Sequence, residues 1–380
     1  MYLLQHKHLR FLTVPTFATA LLSILVSFST ISCQTTRFIT TLDSKVKETS
    51  GLIYLRGALI THNDSGNKAY LYVIDTATGK VRHKVKIKGV DNVDWEDICH
   101  DGQFIYIGDT GNNRGTRRDL TIYKVSIADL FDHLDGKISA QVIHYDYREQ
   151  RDFSSRNHKH NFDAEALIAY RDSLILFTKN WANHKTYIYA LPKMPGEYHL
   201  SRIDSLDVGG LITGGVYDAN QNRILLSGYL SSEPFLVELG DLEHLKFSNA
   251  TYHKFKLFVS SSTQTEGIAL YRKDKYFLSG ESDNMGHPAS LYEVTLPKTT
   301  STVSSKTREV KLFPNPANTR LQVQFGEGPL TLTVYDLWGR QMIKTGASSI
   351  RIDSLPPGVY YLHVLDTRQM RDAVVTFRKE

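Results

Sequence analysis

Between residues 37 and 297, apolar and polar residues alternate in short runs that are separated by Gly, Asn, Asp and Ser. A period of two residues over such short runs is typical of β-strands with one buried face. The 21 Tyr and 17 Phe suit half-buried pleated surfaces. Helical periodicity is weak, and one short helix is predicted over Ile127–Leu134. The pattern therefore predicts an all-β chain.

The strand pattern repeats five times, at intervals of roughly fifty residues. Each repeat opens on an apolar strand and returns on a second one, and the openings lie at Ser50, Glu96, Glu165, Gly214 and Glu266. Third strands follow in every repeat, and fourth strands follow in the first four. Such units predict a five-bladed β-propeller over residues 37–297. The long interval between the second and third openings leaves six blades as the alternative.

The fifth repeat lacks a fourth strand. The segment Arg37–Leu42, ahead of the first repeat, has the alternation of a strand and can take that place. We therefore expect the first and last parts of the body to pair and close the ring.

Residues 1–33 have the order of an export signal: the charges of Lys7 and Arg10, then a mainly apolar stretch, then small residues. An uncleaved membrane anchor is the alternative. Cys33 directly follows the small residues, as in a lipoprotein box, so a lipid anchor at Cys33 and simple cleavage are both open. After removal of the signal, no other apolar run is long enough to span a membrane.

The strand pattern stops at residues 298–308, which are rich in Ser and Thr and predict a linker. It restarts within residues 309–380, where seven short strands predict a small Ig-like β-sandwich. Three motifs stand in this block: Phe313–Ala317 (FPNPA), Val334–Arg340 (VYDLWGR) and Leu355–Leu362 (LPPGVYYL).

With these three motifs in this order, the block 309–380 resembles the type A sorting domain of the type IX secretion system. The resemblance implies a source among the Bacteroidetes, recognition of residues 309–380 by the type IX secretion machinery, and passage through the outer membrane. It also implies removal of the domain on arrival. The expected location is therefore outside the cell or on its outer surface. An Ig-like binding module that stays attached is the alternative.

The body is similar in style to secreted phytase-like and lactonase-like propellers of an uncharacterised family. The residues behind this resemblance are His62–Gly66, Asp94–Ile98, Gly108–Asn113, Asp163–Leu167 and Thr265–Ile268. The resemblance implies the fold, and it carries over none of the catalytic acids of true phytases.

The composition argues against nucleic-acid binding and against a disulfide-stabilised fold. The net charge of +5 is spread along the chain, and no basic stripe with interleaved aromatic residues is present, which argues against nucleic acid as a partner. The two cysteines are too few for a disulfide framework in a chain of 380 residues.

Propeller topology predicts where the polar residues of the repeats meet, because the start of a first strand and the loop after the second strand share one face. Glu96, Glu165 and Glu266 stand at first-strand starts, and Asp109 and Asn112 stand at or just after a second strand. Several carboxylates around one mouth repel each other unless a cation is present. Carboxylate and amide oxygens suit Ca²⁺. We therefore predict that these five residues bind Ca²⁺.

Asp64, Lys179 and Glu281 fall in the loops that follow second strands and are predicted to contact a small-molecule or surface ligand of unknown identity. Lys179 can hold an anionic group of that ligand or pair with Glu165. For the carboxylates, a purely structural role at the blade starts and direct acid–base catalysis are the alternatives to a Ca²⁺ site.

Three functions fit these observations. The first is an exported Ca²⁺-binding propeller that binds a ligand. The second is a metal-dependent hydrolase of phosphoesters or lactones, in which the metal activates water. The third is a structural or adhesive surface protein. The sequence does not decide whether the protein is an enzyme.

Overall fold

The computed structural model describes residues 34–231, 233–259, 264–282, 286–296, 310–325, 328–336, 341–366 and 371–380. The predicted export signal (1–33), which includes Cys33, and the predicted linker (298–308) lie outside the described residues. The described chain is all-β, with 29 strands numbered β1 to β29 in chain order. Its helices are short: α1 spans Ile127–Asp132, and two 3-10 helices span Ser44–Val46 and Phe247–Asn249.

Five sheets of four or five strands form the body. The first sheet contains, in strand order, β2 (Thr49–Leu55), β3 (Ala58–Asn63), β4 (Tyr70–Ile74), β5 (Val81–Lys88) and β9 (Lys137–Ser139). The second sheet contains β6 (Trp95–His100), β7 (Phe104–Asp109), β8 (Thr121–Ser126), β10 (Gln141–Tyr147) and β14 (Gly196–Leu200). The third sheet contains β11 (Ala164–Tyr170), β12 (Ser173–Thr178), β13 (Thr186–Pro192) and β15 (Asp204–Leu206).

The last two sheets of the body have four strands each. They are β16 (Leu211–Asp218), β17 (Arg223–Leu230), β18 (Glu233–Gly240) and β19 (Thr251–Lys256); and β20 (Thr265–Arg272), β21 (Lys275–Gly280), β22 (Ser290–Thr295) and β1 (Thr35–Thr41). β1 pairs antiparallel with β22, from Thr35 opposite Thr295 to Thr41 opposite Ser290. The predicted pairing of the start of the body with its last repeat is therefore confirmed.

The five first strands, β2, β6, β11, β16 and β20, touch one another in a cycle. Each of them contacts the next in chain order, and β20 contacts β2. The apolar side chains follow the same order, because five separate buried clusters each draw residues from two neighbouring sheets. The cluster that joins the fifth sheet to the first includes Leu59 of β3 and Leu291 of β22. Burial of these clusters is the main force that holds the sheets together.

One predicted strand is divided between two sheets. We expected residues 198–206 to form the outer strand of the third repeat, but β14 pairs in parallel with β10 of the second sheet, and β15 alone joins β13. The pairing with β10 places Leu200 in a buried cluster with Tyr145 and Tyr147. Burial of this leucine explains why the segment leaves its own sheet.

Every first strand contains a shift of register against its second strand near its start. The shifts lie between Thr49 and Leu52, Trp95 and Ile98, Ala164 and Ala166, Ile212 and Gly214, and Thr265 and Ile268. Such a β-bulge inserts an unpaired residue and re-aims its side chain. The inserted positions include Glu96, Glu165 and Glu266, so the bulges turn these three glutamates away from the regular alternation.

The C-terminal block contains two further sheets. In strand order they are β23 (Lys311–Phe313), β24 (Arg320–Gln324) and β27 (Ser349–Arg351); and β26 (Gln341–Thr345), β25 (Leu330–Tyr335), β28 (Gly358–Asp366) and β29 (Arg371–Lys379). Side chains of both sheets, such as Leu321 and Leu362, share one buried core. The seven predicted strands are all present.

The predicted helix is present over Ile127–Asp132, two residues shorter than expected. The hydroxyl of Ser126 caps it by accepting a hydrogen bond from the backbone N–H of Asp129 at 3.2 Å. Within the described part of the chain, no helix has the length and apolar character that a membrane crossing requires.

Candidate cation site

The bulges gather acidic side chains at the starts of the first strands. Two groups of three carboxylates each have oxygen atoms within 4.8 Å of one another, and Glu96 belongs to both. The first group is Asp64, Asp94 and Glu96, and the second is Glu96, Asp163 and Glu165. We call these five residues the carboxylate site. Its members come from three neighbouring sheets and the loops beside them.

Two members of the carboxylate site, Asp94 and Asp163, were missed among the predicted ligands. Each stands two residues before a bulge glutamate, in the sequences Asp94-Trp95-Glu96 and Asp163-Ala164-Glu165. Each stands one residue before the strand whose bulge carries the glutamate, and the two carboxylates of each pair lie within 4.8 Å of one another. The acid–any–acid spacing at two repeat openings is the signal that could have found them.

The carboxylate of Asp163 is held firmly by the protein. The backbone N–H of Asn112 donates to its Oδ1 at 2.5 Å, and Nε1 of Trp181 donates to its Oδ2 at 2.9 Å. In contrast, no described protein group donates a hydrogen bond to the carboxylates of Asp94 or Glu96, although Glu96 is only 3% exposed. Burial of a carboxylate that has neither a hydrogen-bond donor nor a counter-charge lowers the free energy of unfolding.

Gly111 leaves space for the carboxylates of Asp94 and Glu96 because it has no side chain. A Cβ at this position would overlap Oε1 of Glu96 and the carboxylate of Asp94. The backbone N–H of Gly111 donates to the carbonyl of Asp94 at 3.1 Å, which holds the glycine against the carboxylates. The absence of a side chain at position 111 is therefore a condition for the first group of carboxylates.

Lys179 is engaged within the protein. Its Nζ lies 3.0 Å from Oε2 of Glu165, in a pair whose side chains are both almost fully buried. The same Nζ lies 5.0 Å from the ring centroid of Trp181 and 5.4 Å from that of Tyr229. Burial lowers the pKa of Lys179, but Glu165 and its further acidic neighbours, such as Glu266, together outweigh this effect, and the pKa is raised. Of the two predictions for Lys179, the structure shows the pair with Glu165.

Of the other predicted ligand residues, Glu266 and Glu281 lie outside the two groups, whereas Asp64 belongs to the first group. Glu266 is buried, and its carboxylate interacts electrostatically with Lys179 and Glu281. Glu281 accepts a hydrogen bond from the side-chain amide of Gln264. Asp64 accepts one from the backbone N–H of Ser65.

Asp109 and Asn112, which were predicted as Ca²⁺ ligands, make structural contacts. Nη1 of Arg117 donates to Oδ1 of Asp109 at 2.8 Å, and the backbone N–H of Asp94 donates to the same oxygen at 3.1 Å. The side chain of Asn112 donates to the carbonyl of Phe162 and accepts from the backbone N–H of Arg117. These bonds position the loop that carries Gly111.

The electrostatics of the site favour a bound cation. Burial, together with neighbouring Asp64 and Asp163, raises the pKa of Asp94 to about 7. Burial and the charge of Glu165 raise the pKa of Glu96 well above its usual range. No described cation forms an ion pair with Asp94 or Glu96. A set of oxygen donors with surplus negative charge fits a hard divalent ion such as Ca²⁺.

A comparison with known protein families bears on the C-terminal block. Residues 311–375 match the family model of the secretion system C-terminal sorting domain. The block 311–375 is a type IX secretion sorting domain. It implies handling by the type IX machinery and secretion to the cell surface or beyond. The predicted C-terminal resemblance is thereby confirmed, whereas no curated protein matches the chain.

Similarity to solved structures is distant. PorZ of Porphyromonas gingivalis, a surface component of the type IX secretion system, is 12% identical with a TM-score of 0.33, and the match covers 87% of this chain. This chain spans 45% of the length of that PorZ chain.

Two other solved structures resemble the chain at a similar level. A 6-phosphogluconolactonase described for Bacteroides uniformis is 10% identical with a TM-score of 0.34, over 82% of this chain and 88% of its own. An exo-β-1,3-galactanase of Phanerochaete chrysosporium is 9% identical with a TM-score of 0.41, over 91% and 99%.

Proposed function

We propose that this chain is an exported five-bladed β-propeller that binds Ca²⁺ at the carboxylate site. The blade number rests on the cycle of contacts among the five first strands, with one apolar cluster between each neighbouring pair of sheets. A β-sandwich of the Ig-like kind is proposed for the C-terminal block, whose two sheets share one core. The export signal at 1–33, with lipid attachment or simple cleavage at Cys33, completes the proposal.

The observation that carries the Ca²⁺ proposal is the position of Glu96. It is the residue that both carboxylate groups share, it is buried, and no described group donates a hydrogen bond to its carboxylate. Asp64, Asp94, Asp163 and Glu165 complete the proposed ligand set. A bound cation would compensate the charges that burial otherwise penalises.

Ca²⁺ serves structure and ligand binding in this proposal. The site joins residues from the first, second and third sheets, so the ion would bridge elements that are distant in sequence. Asp64, Lys179 and Glu281 follow second strands directly and influence one another electrostatically. We propose that Asp64 and Glu281, which are partly exposed, form the rim against which a surface or small-molecule ligand docks, and that Lys179 acts there while it stays paired with Glu165.

Calorimetric titration of the full mature chain with Ca²⁺ tests the proposal. We expect saturable binding that is lost in Glu96→Gln and strongly weakened in Asp94→Asn. Glu243→Gln and Asp172→Asn, which alter exposed acids away from the site, should bind as the unchanged protein does. Absence of binding to the unchanged protein at millimolar Ca²⁺ would refute the proposal.

A metal-dependent hydrolase is the second candidate, because a Ca²⁺ ion held at the carboxylate site would activate a bound water as nucleophile. Phosphate monoesters and lactones offered with Ca²⁺ provide the test. Absence of turnover of all these substrates by the unchanged protein would remove this candidate and leave the Ca²⁺-binding proposal unaffected.

A further inference from the structure

A cavity of about 560 Å³ lies at the opposite ends of the first strands from the carboxylate site. Each of the five first strands contributes an apolar residue to its wall: Leu52, Ile98, Ala169, Val216 and Ile268. We call this space the distal cavity. Its volume falls in the range of small-molecule sites, which are typically apolar with a few polar groups.

A layer of hydrogen bonds separates the distal cavity from the carboxylate site. The buried carboxylate of Asp97 accepts from the backbone N–H groups of Ile98, Leu167 and Gly215, at 2.8, 2.9 and 3.0 Å. These donors belong to three different first strands. Asp97 follows Glu96 in the chain, and Ile98 and Gly215 line the cavity. The two spaces are therefore distinct, and ligands can occupy them independently.

The polar groups of the distal cavity favour an anion. Nζ of Lys193 donates to the carbonyl of Arg171 at 2.7 Å and lies 3.5 Å from Oδ2 of Asp101. The guanidinium of Arg171 is exposed at the same rim. The two positive charges of Lys193 and Arg171 and the negative charge of Asp101 together give the lining one net positive charge.

His100 also lines the distal cavity. Burial lowers the pKa of His100, which keeps its imidazole neutral at pH 7. Its Nδ1 is buried and has no hydrogen-bond partner among the described residues.

We propose that the distal cavity binds a small amphipathic monoanion, an organic carboxylate or sulfonate with an aliphatic or aromatic body. The apolar body would pack against the walls from the five first strands. The anionic group would lie at the rim, where Arg171 and a free N–H of Lys193 can donate charge-assisted hydrogen bonds. The site is separate from the proposed Ca²⁺ site and does not depend on it.

Calorimetric titration of the full mature chain with octanoate, 4-phenylbutanoate and naphthalene-2-sulfonate tests this proposal. We expect at least one probe to bind with one site per chain, and its neutral amide or sulfonamide to bind about tenfold more weakly. Arg171→Glu changes the net charge of the lining from positive to negative and should weaken binding by about tenfold or more. Lys246→Glu, the same charge change at an exposed position outside the lining, should leave binding unchanged.

A second variant tests the location without relying on charge. Ala219 is an exposed residue of the lining, so Ala219→Trp should obstruct the cavity and abolish binding while the thermal unfolding midpoint stays near its original value. No binding by any of the three anions at 5 mM, equal binding of the neutral analogues, or full binding by Ala219→Trp would each overturn the proposal. Removal of Ca²⁺ with a chelator should not change the result.

Discussion

Glu96 combines burial, negative charge and a lack of hydrogen-bond donors, and these three properties conflict unless a proton or a cation is present. Its neighbours intensify the conflict, because Asp94 and Glu165 lie in the same carboxylate groups. Lys179 relieves Glu165 through a direct ion pair but does not pair with Glu96. At the scale of single residues, the site is therefore arranged for an additional positive charge.

The pH dependence of stability follows from Asp94. Its pKa rises from the usual 3.8 to about 7 on folding, so between these values the folded protein holds a proton that the unfolded chain has released. Stability without metal should therefore be greatest at low pH within this range and fall as the pH rises through 7. The loss is about 1.4 kcal/mol per pH unit for each such proton.

Urea unfolding at pH 5, 6, 7 and 8 measures this loss, once with a chelator and once with Ca²⁺. We expect the free energy of unfolding to decline with pH in the chelator and to decline less steeply with Ca²⁺, since the ion takes the place of the proton on Asp94 but not of that on Asp97, whose pKa is raised to about 8. Stability that increases with pH in the chelator would contradict the raised pKa.

Gly111→Ala provides a steric prediction. The added Cβ would overlap the carboxylates of Glu96 and Asp94 and force them apart. We expect the affinity for Ca²⁺ to fall by about tenfold or more, with little change in the circular dichroism of the protein. Gly346→Ala is the matched control, because a Cβ there meets no atom within 4 Å. Unchanged affinity in Gly111→Ala would show that the first carboxylate group does not bind the ion.

At the scale of secondary structure, the repeated bulges connect the sheets. Hydroxyl groups near the bulges bond to carbonyls of the neighbouring first strand: Thr213 donates to the carbonyl of Thr265 at 2.6 Å, and Ser227 donates to that of Glu266, also at 2.6 Å. Thr110 does the same to Ala164 at 2.7 Å. These bonds compensate for the ladder bonds that a bulge interrupts.

Thr213→Val tests the contribution of one such bond. Valine has the shape of threonine but leaves the buried carbonyl of Thr265 without its donor, which should cost about 1–3 kcal/mol. Thr251→Val, on the exposed face of β19, removes a hydroxyl without this consequence and should change stability little. Equal effects of the two substitutions in urea unfolding would show that the bond is unimportant.

At the scale of the whole molecule, β1 connects the two ends of the body. It supplies the outer strand of the fifth sheet, whereas the residues that follow it lead into the first sheet. Strand pairing therefore joins the two ends of the body without a covalent link, and contacts between residues about 250 positions apart in sequence hold this closure.

Deletion of residues 34–41 should open this closure. We expect the thermal midpoint to fall on the order of 10 °C, because an edge of the fifth sheet and its packing are lost. A synthetic peptide of residues 34–42, added in excess, should restore part of the loss by binding to β22. An unchanged midpoint after the deletion would mean that β1 contributes nothing to stability.

Local pattern was enough to predict much of this molecule. The alternation of apolar and polar residues predicted nearly all strands, because a strand with one buried face has apolar residues at every second position. The motifs near Phe313 and Tyr335 were sufficient for the sorting domain, and the repeat placed Glu96, Glu165 and Glu266 at equivalent positions.

Other features were decided only when the sheets packed. Asp109 bonds to Arg117 rather than joining the carboxylate site, and the segment of β14 leaves its own sheet. Asp163 and Glu165 reach Glu96 because packing places the starts of two first strands, which are far apart in sequence, side by side. The reason is physical: a residue's own neighbours in the chain determine whether it forms a strand, whereas the partner of a polar side chain depends on which distant backbone is brought beside it.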